Sequence, residues 1–137
     1  MAASTGPVNS QRKESDVVSM FMGAVKINPG TLVSTRADGY LYPARAGTNT
    51  DVFAGVAYDG EDNSVGAAGA MRCRVFKTGT FVFPKTTATA QTDVGAYFYA
   101  ADDSDVYSTS ANNQKVGPCI EVIDGTNLRI RIDLAVS

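Results

Sequence analysis

The segment that most constrains the fold lies near the C-terminus, where Leu128, Ile130, Ile132 and Leu134 alternate strictly with Arg129, Arg131 and Asp133 after the turn cluster Asp124-Gly125-Thr126-Asn127. A strand sends successive side chains to opposite faces, whereas a helix would scatter the same apolar residues around its circumference. One face of this segment is therefore core, and the other is wet or paired. Ala70 to Lys77 repeats the pattern, with Met71, Cys73 and Val75 on one face and Arg72, Arg74 and Phe76 on the other.

The rest of the chain reads as short β-like runs punctuated by turn residues, the signature of a sandwich or barrel. Ala24 to Ile27 precedes the turn Asn28-Pro29-Gly30, and Leu32 to Thr35 and Tyr40 to Ala44 flank the hairpin signal Ala37-Asp38-Gly39. Pro43 places the second of these runs at a sheet edge. Val52 to Tyr58 is mostly apolar, as expected of a strand covered on both faces, and an acidic, glycine-bearing loop follows from Gly60 to Gly69. Thr80 to Phe83 is the next strand. Pro84 to Thr92 is a Thr/Ala-rich connection with room for one helical turn. Val94 to Ala100, Val106 to Thr109 and Val116 to Ile123 complete the strand set, the last weakened by Gly117-Pro118. The expected fold is all-β: a small β-barrel or tulip-like sandwich domain of short strands over residues 22–137, preceded by an extended, flexible N-terminal arm over 1–21. A faint internal echo links Gly55 to Gly60 leading into Met71 to Val75 with Gly117 to Gly125 leading into Leu128 to Ile132, as if two related β units built the domain.

Twelve basic against fourteen acidic residues among 137 give a formal charge of −2, so no large positive field draws nucleic acid or an anionic membrane. Neither is expected as a partner. Met1 to Asp16 lacks the apolar stretch of a secretory signal, and no run approaches a membrane span. The expected compartment is the cytoplasm, with release by lysis.

The chain contains no histidine, which removes the commonest general base. Its lysines are scattered beside turns, and there is neither a phosphate-binding glycine loop nor a CxxC pair. No catalytic residue, cofactor or metal site is assigned. Cys73 and Cys119 read as buried small hydrophobes, with a disulfide open if their strands prove adjacent. The carboxylates at Asp59, Glu61, Asp62 and at Asp102, Asp103, Asp105 read as turn-forming residues without the full spacing of a calcium loop. Two features suit contact with another protein. One is the end of the arm, where Arg12 and Lys13 precede apolar Val17, Val18, Met20 and Phe21, a run open to two readings, as part of the first strand or as a segment that docks on a partner. The other is the pair of stripes Arg72, Arg74 and Arg129, Arg131, suited to bidentate pairing with carboxylates on a partner, the alternative being ordinary outward-facing strand positions, some paired across strands.

From about Gly23 to Asp133 the order of features resembles the capsid cement, or head-decoration, proteins of tailed bacteriophages. The resemblance rests on Ala24-Val25 followed by Pro29-Gly30-Thr31-Leu32-Val33, on Asp38-Gly39, on Tyr42-Pro43-Ala44 and on Ala54-Gly55-Val56-Ala57. It continues through Gly66-Ala67-Ala68-Gly69 into Arg72-Cys73-Arg74-Val75, Gly79 before Phe81-Val82-Phe83, Val94-Gly95 before Tyr97, and Lys115-Val116-Gly117 before the closing strand. It implies a non-enzymatic structural virion protein, commonly a homotrimer. Such a protein is assembled in the bacterial host cytoplasm, sits on the capsid exterior and bridges neighbouring copies of the major capsid protein. It further implies an arm that orders on the shell. Two other classes share the same chemistry: a phage tail, fibre or baseplate β module, and a β-barrel binding module or enzyme from outside phages.

Overall fold

The structure, a computed structural model, describes residues 17–47 and 50–132. Its strands are β1 (Val17–Phe21), β2 (Lys26–Ile27), β3 (Leu32–Thr35), β4 (Leu41–Pro43), β5 (Val52–Ala57), β6 (Glu61–Asp62), β7 (Arg72–Phe76), β8 (Thr80–Pro84), β9 (Tyr97–Ala100), β10 (Val106–Tyr107), β11 (Lys115–Val122) and β12 (Asn127–Arg131). A single 3-10 turn, Gln91–Asp93, closes the Thr/Ala-rich connection. The all-β expectation holds.

Ten strands form two five-stranded antiparallel sheets, in the orders β1-β7-β5-β3-β4 and β8-β12-β11-β9-β10, and β2 pairs with β6 apart from both. Pro43 lies on an edge strand, as its missing N–H requires. Each sheet curls far enough for the residue after its first strand to meet its last. Met22 bridges Leu41 and Lys85 bridges Val106, both in the parallel sense, with Gly23 N–H donating to the Leu41 carbonyl and Thr86 N–H to the Val106 carbonyl at 3.0 Å. Two small barrels result, which suits a chain that cannot leave many strand edges open.

The barrels are copies of one another in connectivity and in register. Val33 pairs with Gly55 as Phe98 pairs with Gly117, and Ser34 pairs with Phe53 as Tyr99 pairs with Lys115, with a register shift at the same step in both. Gly30 N–H donates to Ala57 O as Gly95 N–H does to Cys119 O, and Met22 N–H donates to Met71 O as Lys85 N–H does to Thr126 O. The internal echo is therefore a structural duplication. Strand pairing corrects its alignment by two residues: Val75, opposite Ala57, corresponds to Ile130, opposite Cys119, so Arg74 answers to Arg129 and not to Arg131. Side chains repeat every two residues along a strand, so a slip of two leaves the alternation unchanged.

The interior of the first barrel is Met22, Ile27, Val33, Leu41, Ala54, Ala57, Cys73 and Val75. The second cluster contains Phe83, Phe98, Ala100, Val106, Val116, Cys119, Leu128, Ile130 and Ile132, and it also takes in Leu32, Ala44, Phe53 and Val56 from the first barrel. This sharing explains why β5 is buried on both faces. Ala54 and Ala57 serve one cluster while Phe53 and Val56 serve the other, and burying each of those larger side chains is worth about 1.5–3 kcal/mol. Polar contacts fix the same junction: Leu32 N–H donates to Asp103 O at 2.8 Å, Gly47 N–H donates to Asn113 Oδ1 at 2.7 Å, and the buried Ser34 hydroxyl donates to Gln114 Oε1.

Two local expectations change. Val17–Phe21 is not arm but the edge strand β1, paired along its whole length with β7. Arg12 and Lys13 lie outside the described residues. The run from Ala24 shrinks to Lys26–Ile27 because its partner, Glu61–Asp62 in the acidic loop, is equally short.

Candidate adhesion surface

The β1–β7 register joins two features that are far apart in sequence. Phe21 lies opposite Arg72 and Ser19 opposite Arg74, while the intervening Met20 and Val18 face Cys73 and Val75. Directly opposed residues in an antiparallel pair share a face. Met20 therefore packs on the first core and is not a contact residue, whereas Phe21 stays 46% exposed beside the arginines.

On that outer face each arginine rests on a ring. The Arg72 guanidinium lies 4.0 Å from the Phe21 ring centre, and the Arg74 guanidinium lies 4.4 Å from that of Tyr58, which is 45% exposed. Asp59 fixes Arg74 by two parallel bonds, Nε to Oδ2 at 2.8 Å and Nη2 to Oδ1 at 2.9 Å. The hydrogen bond from Arg74 holds the Asp59 carboxyl below its usual range, and the same bond raises Arg74. Phe76 continues the row, with its ring centre 4.9 Å from Tyr58 and 5.4 Å from Phe81. The result is an exposed aromatic and guanidinium surface whose geometry is set before any partner arrives. Cation–π contacts of this kind are worth about 0.5–1 kcal/mol at exposed sites.

The second arginine stripe is on the other barrel. Arg129 donates from Nε to Thr80 Oγ1 at 2.9 Å and from Nη1 to Glu121 Oε1 at 3.4 Å, and Arg131 is exposed. Arg129 with Glu121 thus repeats Arg74 with Asp59 at corresponding positions. Among the described residues no ring lies beneath this stripe, and its exposed apolar neighbour is Val82, directly opposite Arg129 and 53% exposed.

Compared with protein-family models, with curated proteins and with solved structures, the chain matches none.

Several of the remaining reactive groups are engaged in structure. Cys73 and Cys119 are free, buried thiols in different clusters, and burial pushes Cys73 up to about 11 and raises Cys119. Asp62 accepts from the Ser64 N–H, Asp102 from those of Ser104 and Asp105, and Asp124 from those of Thr126 and Asn127. These carboxylates close turns. Among the described residues no three Cys, Asp or Glu side chains are grouped as metal ligands. Of the residues on this candidate surface the sequence singled out Phe21, Arg72 and Arg74 for contact, but not Tyr58 and Asp59. Their part depends on β5 running beside β7 across the long acidic loop, and strand adjacency of that kind carries no local sequence signal.

Proposed function

We propose that this protein is a structural virion component that adheres to the outer surface of a tailed-phage capsid, bridging neighbouring copies of the major capsid protein, and that it does so without catalysis. The observation that carries this reading is the preorganised face of Phe21, Tyr58, Arg72 and Arg74. Aromatic residues and arginine dominate the energetics of protein contacts, and charged partners already held by intrachain bonds lose little side-chain entropy on docking. The resemblance of residues 23–133 to head-decoration proteins supplies the shell as the partner, and self-association, as in a homotrimer, would multiply modest patches into durable attachment. Such a protein would reside on the capsid exterior.

Co-sedimentation of the purified protein with phage heads and with tails tests the reading. Binding is expected to heads only. Arg72→Glu and Phe21→Ser, both on the outer face, should each raise the dissociation constant for heads about tenfold, the scale of losing one contact worth about 1.4 kcal/mol. Binding confined to tails would move the protein to a fibre or baseplate, and equal occupancy by both variants would exclude this face.

A further inference from the structure

The contact between the two barrels is heterologous: a side of the first, carrying Leu32, Ser34, Phe53 and Val56, meets one end of the second, at Asp103, Asn113 and Gln114. Because the barrels are duplicates, each of these surfaces exists a second time. The side is repeated on the second barrel as Tyr97, Tyr99, Lys115 and Pro118. The end is repeated on the first barrel as Asp38 and Val52, since the turns Arg36 to Tyr40 and Ala101 to Asp105 close alike; Asp51, in the place of Asn113, is buried against Arg45 and takes no part in the exposed surface.

We infer that these two duplicate surfaces bind each other between copies of this chain, so that the protein associates head to tail by repeating its own internal junction. Exposure marks both halves. Leu32 is fully buried, but its counterpart Tyr97 is 49% exposed; Gln114 is buried, but its counterpart Val52 is 56% exposed. The junction that covers the first member of each pair is thus missing over the second. Charge agrees with this arrangement. Lys115, exposed and 4.6 Å from the Tyr97 ring centre, stands where Phe53 stands in the buried copy. It would face an end that carries Asp38, an exposed carboxylate held ionised by the Tyr42 hydroxyl and the Tyr40 N–H. The same end carries Arg36, 3.9 Å from Asp51 and 4.1 Å from the Tyr42 ring centre. A heterologous interface of this kind builds a ring where its rotation closes and an open chain where it does not.

The test uses the full-length protein and needs no capsid. Val52→Asp spoils only the end and Tyr97→Asp only the side, and both residues are exposed within one chain, so each variant should fold, as a wild-type far-UV spectrum and melt would verify. By light scattering after size exclusion, the wild type should be larger than one chain and each variant a single chain. An equimolar mixture of the two variants should form a one-to-one dimer and go no further, because it restores a single intact junction. A wild type that stays a single chain at every concentration, a folded variant that keeps the wild-type size, or a mixture that yields no dimer overturns the inference. A two-fold interface that used both surfaces would also fail the mixing arm.

Discussion

Replacing Gly55 by alanine isolates the feature on which the duplication turns. Gly55 sits at the register shift of β5 with φ +138, and a Cβ there would overlap the Phe76 carbonyl oxygen and come within 2.9 Å of Val75 Cγ1. The obstructing oxygen is main chain in β7, the strand that pairs with β5, so it can retreat only by opening that pairing inside a curled sheet. Forcing a residue with a side chain into this conformation costs about 1–3 kcal/mol. Overpacking adds about 1–3 kcal/mol. A loss of about 3–5 kcal/mol is a large part of the roughly 5–15 kcal/mol that holds a domain together. Gly30 supplies the control, because its φ of +80 also disfavours alanine while nothing lies within 4 Å of the added atom. Gly30→Ala should therefore lose only about 1–2 kcal/mol. In urea unfolding followed by circular dichroism, with a slope of about 1.5 kcal/mol per molar, Gly55→Ala should lower the midpoint by about 2–3 M and Gly30→Ala by about 1 M. Equal shifts for the two would refute the close approach of β5 to β7. Gly117→Ala should behave like Gly55→Ala, since its Cβ would overlap the Arg131 carbonyl in the same way.

Two further measurements probe single groups. Amides of Thr126 and Asn127 hold Asp124 down to about 2, below its ordinary 3.8, so its contribution to stability is complete above about pH 4 and is lost as pH falls through about 2. Asp124→Asn should flatten the decline of melting temperature in that window, and an unchanged slope would remove this carboxylate from the acid response. The thiols of Cys73 and Cys119, buried and raised above their usual range, should react with an aromatic disulfide reagent at pH 8 no faster than the protein unfolds. Rapid stoichiometric labelling of the native protein would contradict their burial.

Strands were legible wherever one face is buried and the other wet. Leu128 and Ile130 against Arg129, and Cys73 and Val75 against Arg74, follow a period that only a strand satisfies. The doubly covered β5 was legible too, as an apolar run. What the chain does not display locally is adjacency. Val17–Phe21 looks like the apolar end of a polar arm until β7 is placed beside it, and Glu61–Asp62 looks like loop until Lys26–Ile27 pairs with it.

The duplication shows the same limit from the other side. Gly55 and Gly117 announce it, because a backbone carbonyl of the neighbouring strand comes too close for any side chain at either position. Several other corresponding pairs are chemically unlike: Leu32 with Tyr97, Phe53 with Lys115, Phe76 with Arg131. Each of these pairs sits on an outward face, whereas the inward pairs Val33 with Phe98, Cys73 with Leu128 and Val75 with Ile130 keep apolar character. Barrel interiors demand chiefly apolar volume, so they tolerate divergence that preserves the pattern, and where Lys85 stands in the place of the buried Met22 its charge is met by Asp93 at 3.0 Å. Outward faces answer to whatever covers them. In the first barrel that cover is the second barrel, and Leu32 and Phe53 match it; in the second barrel Tyr97 and Lys115 occupy the same places, a composition suited to an interface that assembles from water and not to one formed once during folding.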